Sequence, residues 1–215
     1  MKTNLSRRTW SALFFGALLV WAVPVVPPAT AAELKAGEDY ELVQPPVPSA
    51  EGKAEIVEVF NFTCPHCFNL HPSFEEWARK NRERFLVRSL PIFWGNQTDL
   101  PLRAYFAATY LGQGEAMQNA IFRLHFEESG DIEKMEELLR LAKSLKLDPG
   151  TFQAHMQSFG VTAKVNQAKN QAKEWGVRST PTLVINGRYR VTPVMSKGDL
   201  FRMFQVIEEL AQRAP

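Results

Sequence analysis

Two thiols are all this chain has, Cys64 and Cys67, held two residues apart in "FNFTCPHCFNL". A pair at that spacing can form and break a disulfide, supply part of a metal site, or act as an inert clasp. As a clasp it would close too small a loop to constrain the unfolded chain much. A tetrahedral zinc site could recruit Cys64, Cys67 and His71, but it needs a fourth ligand, and His125 and His155 stand alone in helical segments. No metal is expected, and reversible thiol chemistry is the favoured reading.

The elements that must position this pair are legible around it. "EIVEVFNF" (residues 55–62) is dense in β-branched and aromatic residues, as suits a central strand buried on both faces. After it, Cys67, Leu70, Phe74, Trp77 and Ala78 recur at three- and four-residue spacing, which predicts a helix running to about Arg82, kinked at Pro72. Cys64 then lies where strand hands over to helix, and its sulfur faces the unpaired N–H groups and positive dipole end of that helix. An exposed Cys64 with a favoured thiolate and a shielded Cys67 are expected. Pro65 suits the first helical turn, and His66 adds a nearby donor or positive charge that favours the thiolate further. Stabilising the thiolate stabilises the reduced form and so makes the disulfide a stronger oxidant.

Upstream, Lys2, Arg7 and Arg8 precede an uncharged stretch that ends in small residues near Ala32, the layout of a cleaved secretory signal peptide over residues 1–32. Its apolar run is short for a membrane span and is interrupted by Pro24, Pro27 and Pro28. Removing the leader takes away three basic residues and no acidic ones, so the formal charge falls from +2 to about −1 and the basic balance belongs to the leader. No Lys/Arg block remains to suggest a nucleic-acid surface. The remaining chain fits one domain. Only two cysteines in an exported chain argue for a chemical pair rather than a stapled scaffold.

A short leading strand is predicted at residues 40–43, and a second long strand through "RFLVRSLPIF" to Phe93. Residues 99–158 read as helical throughout, with Asp131 capping one helix and Asp148-Pro149 starting another. A helix carrying Val165, Ala168, Ala172 and Trp175 ends at Gly176. In "STPTLVINGRYRV" two β-rich runs flank Asn186-Gly187, a strong hairpin signal, and a last helix runs from about Ser196 to Arg213. The order is that of an α/β protein.

Signal peptide, buried strand ending in Cys-Pro-His-Cys, helical insertion and Thr180-Pro181 before a hairpin strand together resemble the thioredoxin superfamily. Within it, Cys-Pro-His-Cys with "GVRSTPTLVINGRY" resembles the DsbA family of bacterial periplasmic thiol:disulfide oxidases, over essentially the whole chain after the leader. The resemblance implies a thioredoxin fold in two parts, residues 33–98 and 159–215, with a helical domain at 99–158 inserted between them. It implies a periplasmic, monomeric enzyme whose redox group is its own Cys64–Cys67 disulfide, with no other cofactor. Reduced exported proteins would be its substrates, and a DsbB-type membrane quinone oxidoreductase would re-oxidise it. Pro181 would be a cis proline beside the disulfide, with the Thr180 backbone hydrogen-bonding a bound peptide.

Glu58 and Arg88 each interrupt an apolar strand, and the resemblance makes them a buried pair assisting proton movement at Cys67; otherwise they are solvent-facing charges. Phe93 and Trp94 are candidates for lining a peptide groove, against the commoner role of aromatics as core. His71 is expected to be a solvated helix residue. The chain departs from the familiar pattern at His71 and Pro72, where an acidic pair is usual, and at Thr180, where valine is common. These departures keep a reductase or isomerase on the same fold as the alternative.

Overall fold

The computed structural model describes residues 33–47 and 52–213, and the expected leader lies outside them. In chain order the elements are β1 (Glu41–Leu42), β2 (Ala54–Phe60), α1 (Pro65–Asn81), β3 (Phe85–Pro91), α2 (Leu100–Tyr110), α3 (Gly114–Phe126), α4 (Met135–Ser144), α5 (Pro149–Met156), α6 (Phe159–Glu174), β4 (Thr182–Ile185), β5 (Tyr189–Val191) and α7 (Leu200–Gln212). The strands form one sheet in the order β1-β5-β4-β2-β3, with β2 and β3 parallel and the other neighbours antiparallel.

β2 lies inside the sheet because its sequence leaves it no polar face: six of its seven residues are buried. Alternate residues feed two cores. On one side Ile56, Leu183 and Ile185 meet Leu70, Phe74 and Trp77 of α1 and Met203, Ile207 and Leu210 of α7. On the other Val57, Val59 and Val184 meet α2 to α6 through Leu102, Ile121, Phe122, Leu138, Phe152 and Val165, with Trp175 just past α6. Each such fully buried side chain contributes about 1.5–3 kcal/mol.

The β4–β5 turn follows from its two residues. Asn186 and Gly187 have φ of 51° and 60°, the left-handed pair that matches strand twist in a two-residue hairpin. A side chain at Gly187 would run into the Val47 carbonyl. Gly176 ends α6 in the same way at φ 63°, and the Arg190 guanidinium packs where its Cβ would stand.

Several boundaries differ from the periodicity. β3 ends at Pro91, two residues before the expected Phe93, because the chain turns there into the loop that holds Trp94 and Gln97. Asp131 caps a turn, accepting from the Glu133 N–H, and α4 starts only after Lys134, so Ile132 reaches the core from the turn. α7 begins at Leu200 behind Asp199, which accepts from the Arg202 N–H, since Lys197 and Gly198 adopt positive φ just before it. α1 runs past Pro72 as one helix, held by its apolar face although Pro72 has no N–H to give.

Candidate active site

Cys64 is the N-cap of α1, with extended backbone (φ −89°, ψ 114°), and Pro65 follows at the first helical position. Its carbonyl accepts from the N–H groups of Cys67 and Phe68 at 3.0 and 3.1 Å, so the turn between the cysteines is the first turn of the helix. Both cysteines are free thiols here, Cys64 half-buried and Cys67 fully buried. The Cys64 side chain makes no hydrogen bond to the N–H groups of the helix start. His66 and Pro65 are exposed beside it.

Facing the sulfur is the loop before β4. The Cys64 thiol donates to the Thr180 carbonyl at 3.2 Å, and the Thr180-Pro181 peptide bond is cis. This juxtaposition brings the Cys64–Cys67 pair to Thr180 and Pro181, more than a hundred residues further along the chain.

Asn61 organises the turn beneath. Its carbonyl accepts from the Cys64 N–H at 3.1 Å. Its side-chain Nδ2 donates to the Ile92 carbonyl and to Gln97 Oε1, while its Oδ1 accepts from the N–H and hydroxyl of Thr63. Gln97 in turn donates to Thr63 Oγ1 and accepts from the Trp94 N–H. Burial pushes the Cys67 thiol far up, so this sulfur holds its proton in the dithiol form.

Glu58 is buried as expected, but its partner is not Arg88. Glu58 Oε2 accepts from Ser89 Oγ at 3.0 Å, and Oε1 has no partner among the described residues. Arg88 instead bonds Glu55 at 2.8 Å, reaches Gln171 and lies over the Trp175 ring. The expected Glu58–Arg88 pair fails on register: Glu58 stands opposite Ser89, whereas Arg88 stands opposite Val57 and so shares the face of Glu55. Burial pushes the Glu58 carboxyl up to about 8.

His71 is also unlike the expectation of a solvated residue. It is 4 % exposed, packs on Phe122, and its Nε2 lies 3.1 Å from Asn119 Oδ1 and from Glu75 Oε1. Its Nδ1 lies 3.3 Å from Gln118 Nε2. These contacts fit a neutral ring with the proton on Nε2 and occupy both nitrogens, so His71 is not offered to the cysteines as a metal ligand. Burial lowers it to about 4.

Phe93 is half-buried and Trp94 is 41 % exposed, and both line a cavity with Val177 and Arg178, just before Thr180. Gln97, Ser89, Gln118 and Asn119 carry no local signal, because their side-chain partners are distant in the chain. Asn61 carries the one readable signal, an amide inside an otherwise apolar run.

A sheet with a reactive cysteine at the start of its first long helix, a buried second cysteine one turn on and a cis proline opposite defines a thioredoxin-fold thiol:disulfide oxidoreductase. Residues 55–210 match the DSBA-like thioredoxin domain, and the chain belongs to that family. The curated thiol:disulfide interchange protein DsbA of Bordetella pertussis is 26% identical over 98% of this chain and 97% of its own, and that of Pseudomonas aeruginosa strain PAO1 is 29% identical over 75% and 77%. Among solved structures, DsbA from Xylella fastidiosa superposes with a TM-score of 0.76 at 29% identity, covering 84% of this chain and 97% of that one. Pseudomonas aeruginosa DsbA gives 0.77 at 26% identity, covering 83% and 93%.

Proposed function

We propose that the chain is a periplasmic oxidase that donates a Cys64–Cys67 disulfide to reduced cysteines of exported proteins. The observation that carries this reading is the Cys64 sulfur at the start of α1, in contact with the Thr180 carbonyl, above a fully buried Cys67. Only one sulfur of the pair is open to an incoming thiolate, so attack falls on Cys64.

In the forward reaction a client thiolate attacks the Cys64 sulfur, the Cys64–Cys67 bond breaks, and Cys67 leaves and takes a proton. A second client thiolate then attacks the client sulfur of the mixed disulfide and releases Cys64, leaving the client oxidised and this protein as the dithiol. The Thr180 backbone aligns the client as an added strand residue. Glu58, buried and protonated below about pH 8, is a proton store for the exchange. The spent dithiol is re-oxidised by a DsbB-type membrane quinone oxidoreductase, and the protein works as a monomer.

Equilibration with glutathione tests the reading, because about 30 mV corresponds to about 1.4 kcal/mol for this two-electron couple. An oxidising potential, loss of oxidase activity in Cys64→Ser and trapped client adducts in Cys67→Ser are expected. A thioredoxin-like potential would assign the chain to the reductases instead.

A further inference from the structure

Beside the loop that carries Thr180 lies a cavity of about 320 Å³ between the end of β3, α2 and the end of α6. The size is at the small end for ligand sites, about 300–1,000 Å³. Its apolar lining comes from Phe93, Trp94, Leu102 and Val177. Its other lining residues include three cations, Lys169, Lys173 and Arg178, all exposed. Lys169 Nζ lies 5.8 Å from the Phe93 ring centroid. None of the three is in an ion pair among the described residues. The nearest acid in sequence, Glu174, lines a different depression with Phe159, Asn166 and Asn170.

The cavity is tied to the sulfurs through the chain. Arg178 precedes Thr180 by two residues, which limits their Cα atoms to about 7 Å. An extended client segment advances about 3.3 Å per residue, so a side chain two to four positions from a cysteine held at Cys64 reaches the cavity mouth.

Taking the thiol exchange proposed above as given, we infer that this cavity is a client subsite for an apolar side chain flanked by carboxylates, and that it selects acidic segments next to the cysteine being oxidised. Apolar walls take up the side chain, and three cations without acid partners face the carboxylates. Phe93 and Trp94 thereby set client preference rather than chemistry.

The test uses two dithiol peptides of equal length and apolar content, one with Asp and Glu beside a Leu near its cysteine and one with Lys in those places. With the oxidised protein at low salt, kcat/KM is about tenfold higher for the acidic peptide, as three exposed charge contacts imply. The advantage shrinks in about 0.5 M salt. It disappears or reverses in the surface variant carrying Lys169→Glu and Arg178→Glu. Cysteine-free versions of the peptides, titrated by fluorescence anisotropy, show the same preference in Kd. Equal affinity for both, with oxidation intact, overturns the subsite and leaves the oxidase. A binding preference with neither dithiol peptide oxidised upholds the subsite and overturns the oxidase.

Discussion

Asn61 Nδ2 donates to Gln97 Oε1 at 2.7 Å, closing a ring of side chains that ties the cysteine turn to the loop after β3. Thr63 completes it, giving its hydroxyl proton to Asn61 Oδ1 and accepting from Gln97 Nε2. The turn that sets both cysteines is thus fixed from outside α1.

Gln97→Leu takes the donor from Thr63 Oγ1 and the acceptor from one Asn61 Nδ2 proton and from the Trp94 N–H. A loss of about 1–3 kcal/mol in urea unfolding is expected. A double-mutant cycle with Thr63→Val checks the origin of that loss, with a coupling of about 1 kcal/mol; full additivity would show that the two side chains act separately.

Glu58 supplies a pH dependence with a definite sign. Its carboxyl sits near 8 in the folded protein and near 4.5 unfolded, so between those values the folded chain holds the extra proton and stability falls as pH rises. Glu58→Gln is predicted to gain on the parent as pH is raised from about 5 to 9, by on the order of a few kcal/mol, in unfolding curves at each pH. The same variant should flatten the alkaline limb of the thiol-exchange rate, which separates a proton store from a packing role.

His71 acts in the opposite direction and in an acid window. Held neutral by burial, it titrates near 4 folded and near 6.5 unfolded, so the unfolded chain binds the extra proton between them and stability is lost as pH falls through that range. His71→Gln removes the titrating group, and its unfolding free energy should vary less than the parent's between about pH 6.5 and 4.

Arg190 gives a stability prediction remote from the sulfurs. Its guanidinium donates to the carbonyls of Trp175 and Gly176 at the end of α6 and pairs with Glu41 of β1. Arg190→Met leaves those carbonyls without this donor and should cost about 2–3 kcal/mol, read as a lower urea midpoint.

The reactive pair was legible because its signals are local: two cysteines, an apolar strand before them, helical periodicity after them and Asn186-Gly187 for the hairpin. The match of residues 55–210 to the DSBA-like family agrees with the expected thioredoxin fold. What the sequence could not convey was register and long-range polar closure. A shift of one position along β3 decides whether Glu58 meets Ser89 or Arg88, and nothing in "RFLVRSLPIF" fixes it. His71 reads as an exposed residue of an amphipathic helix until α3 covers it with Gln118 and Asn119. Helix starts slipped where a polar residue capped a turn rather than the helix, as at Asp131.

α1 belongs to both cores at once, with Cys67 packed on the helical side of the sheet and Leu70, Phe74 and Trp77 on the α7 side. The sulfurs therefore ride at the tip of a spindle gripped from two directions. Loosening either grip, by heat, denaturant or a cavity far from the cysteines, should open Cys67 to reagents. Alkylation of that one thiol is a built-in gauge of how tightly the two halves of the molecule are held together.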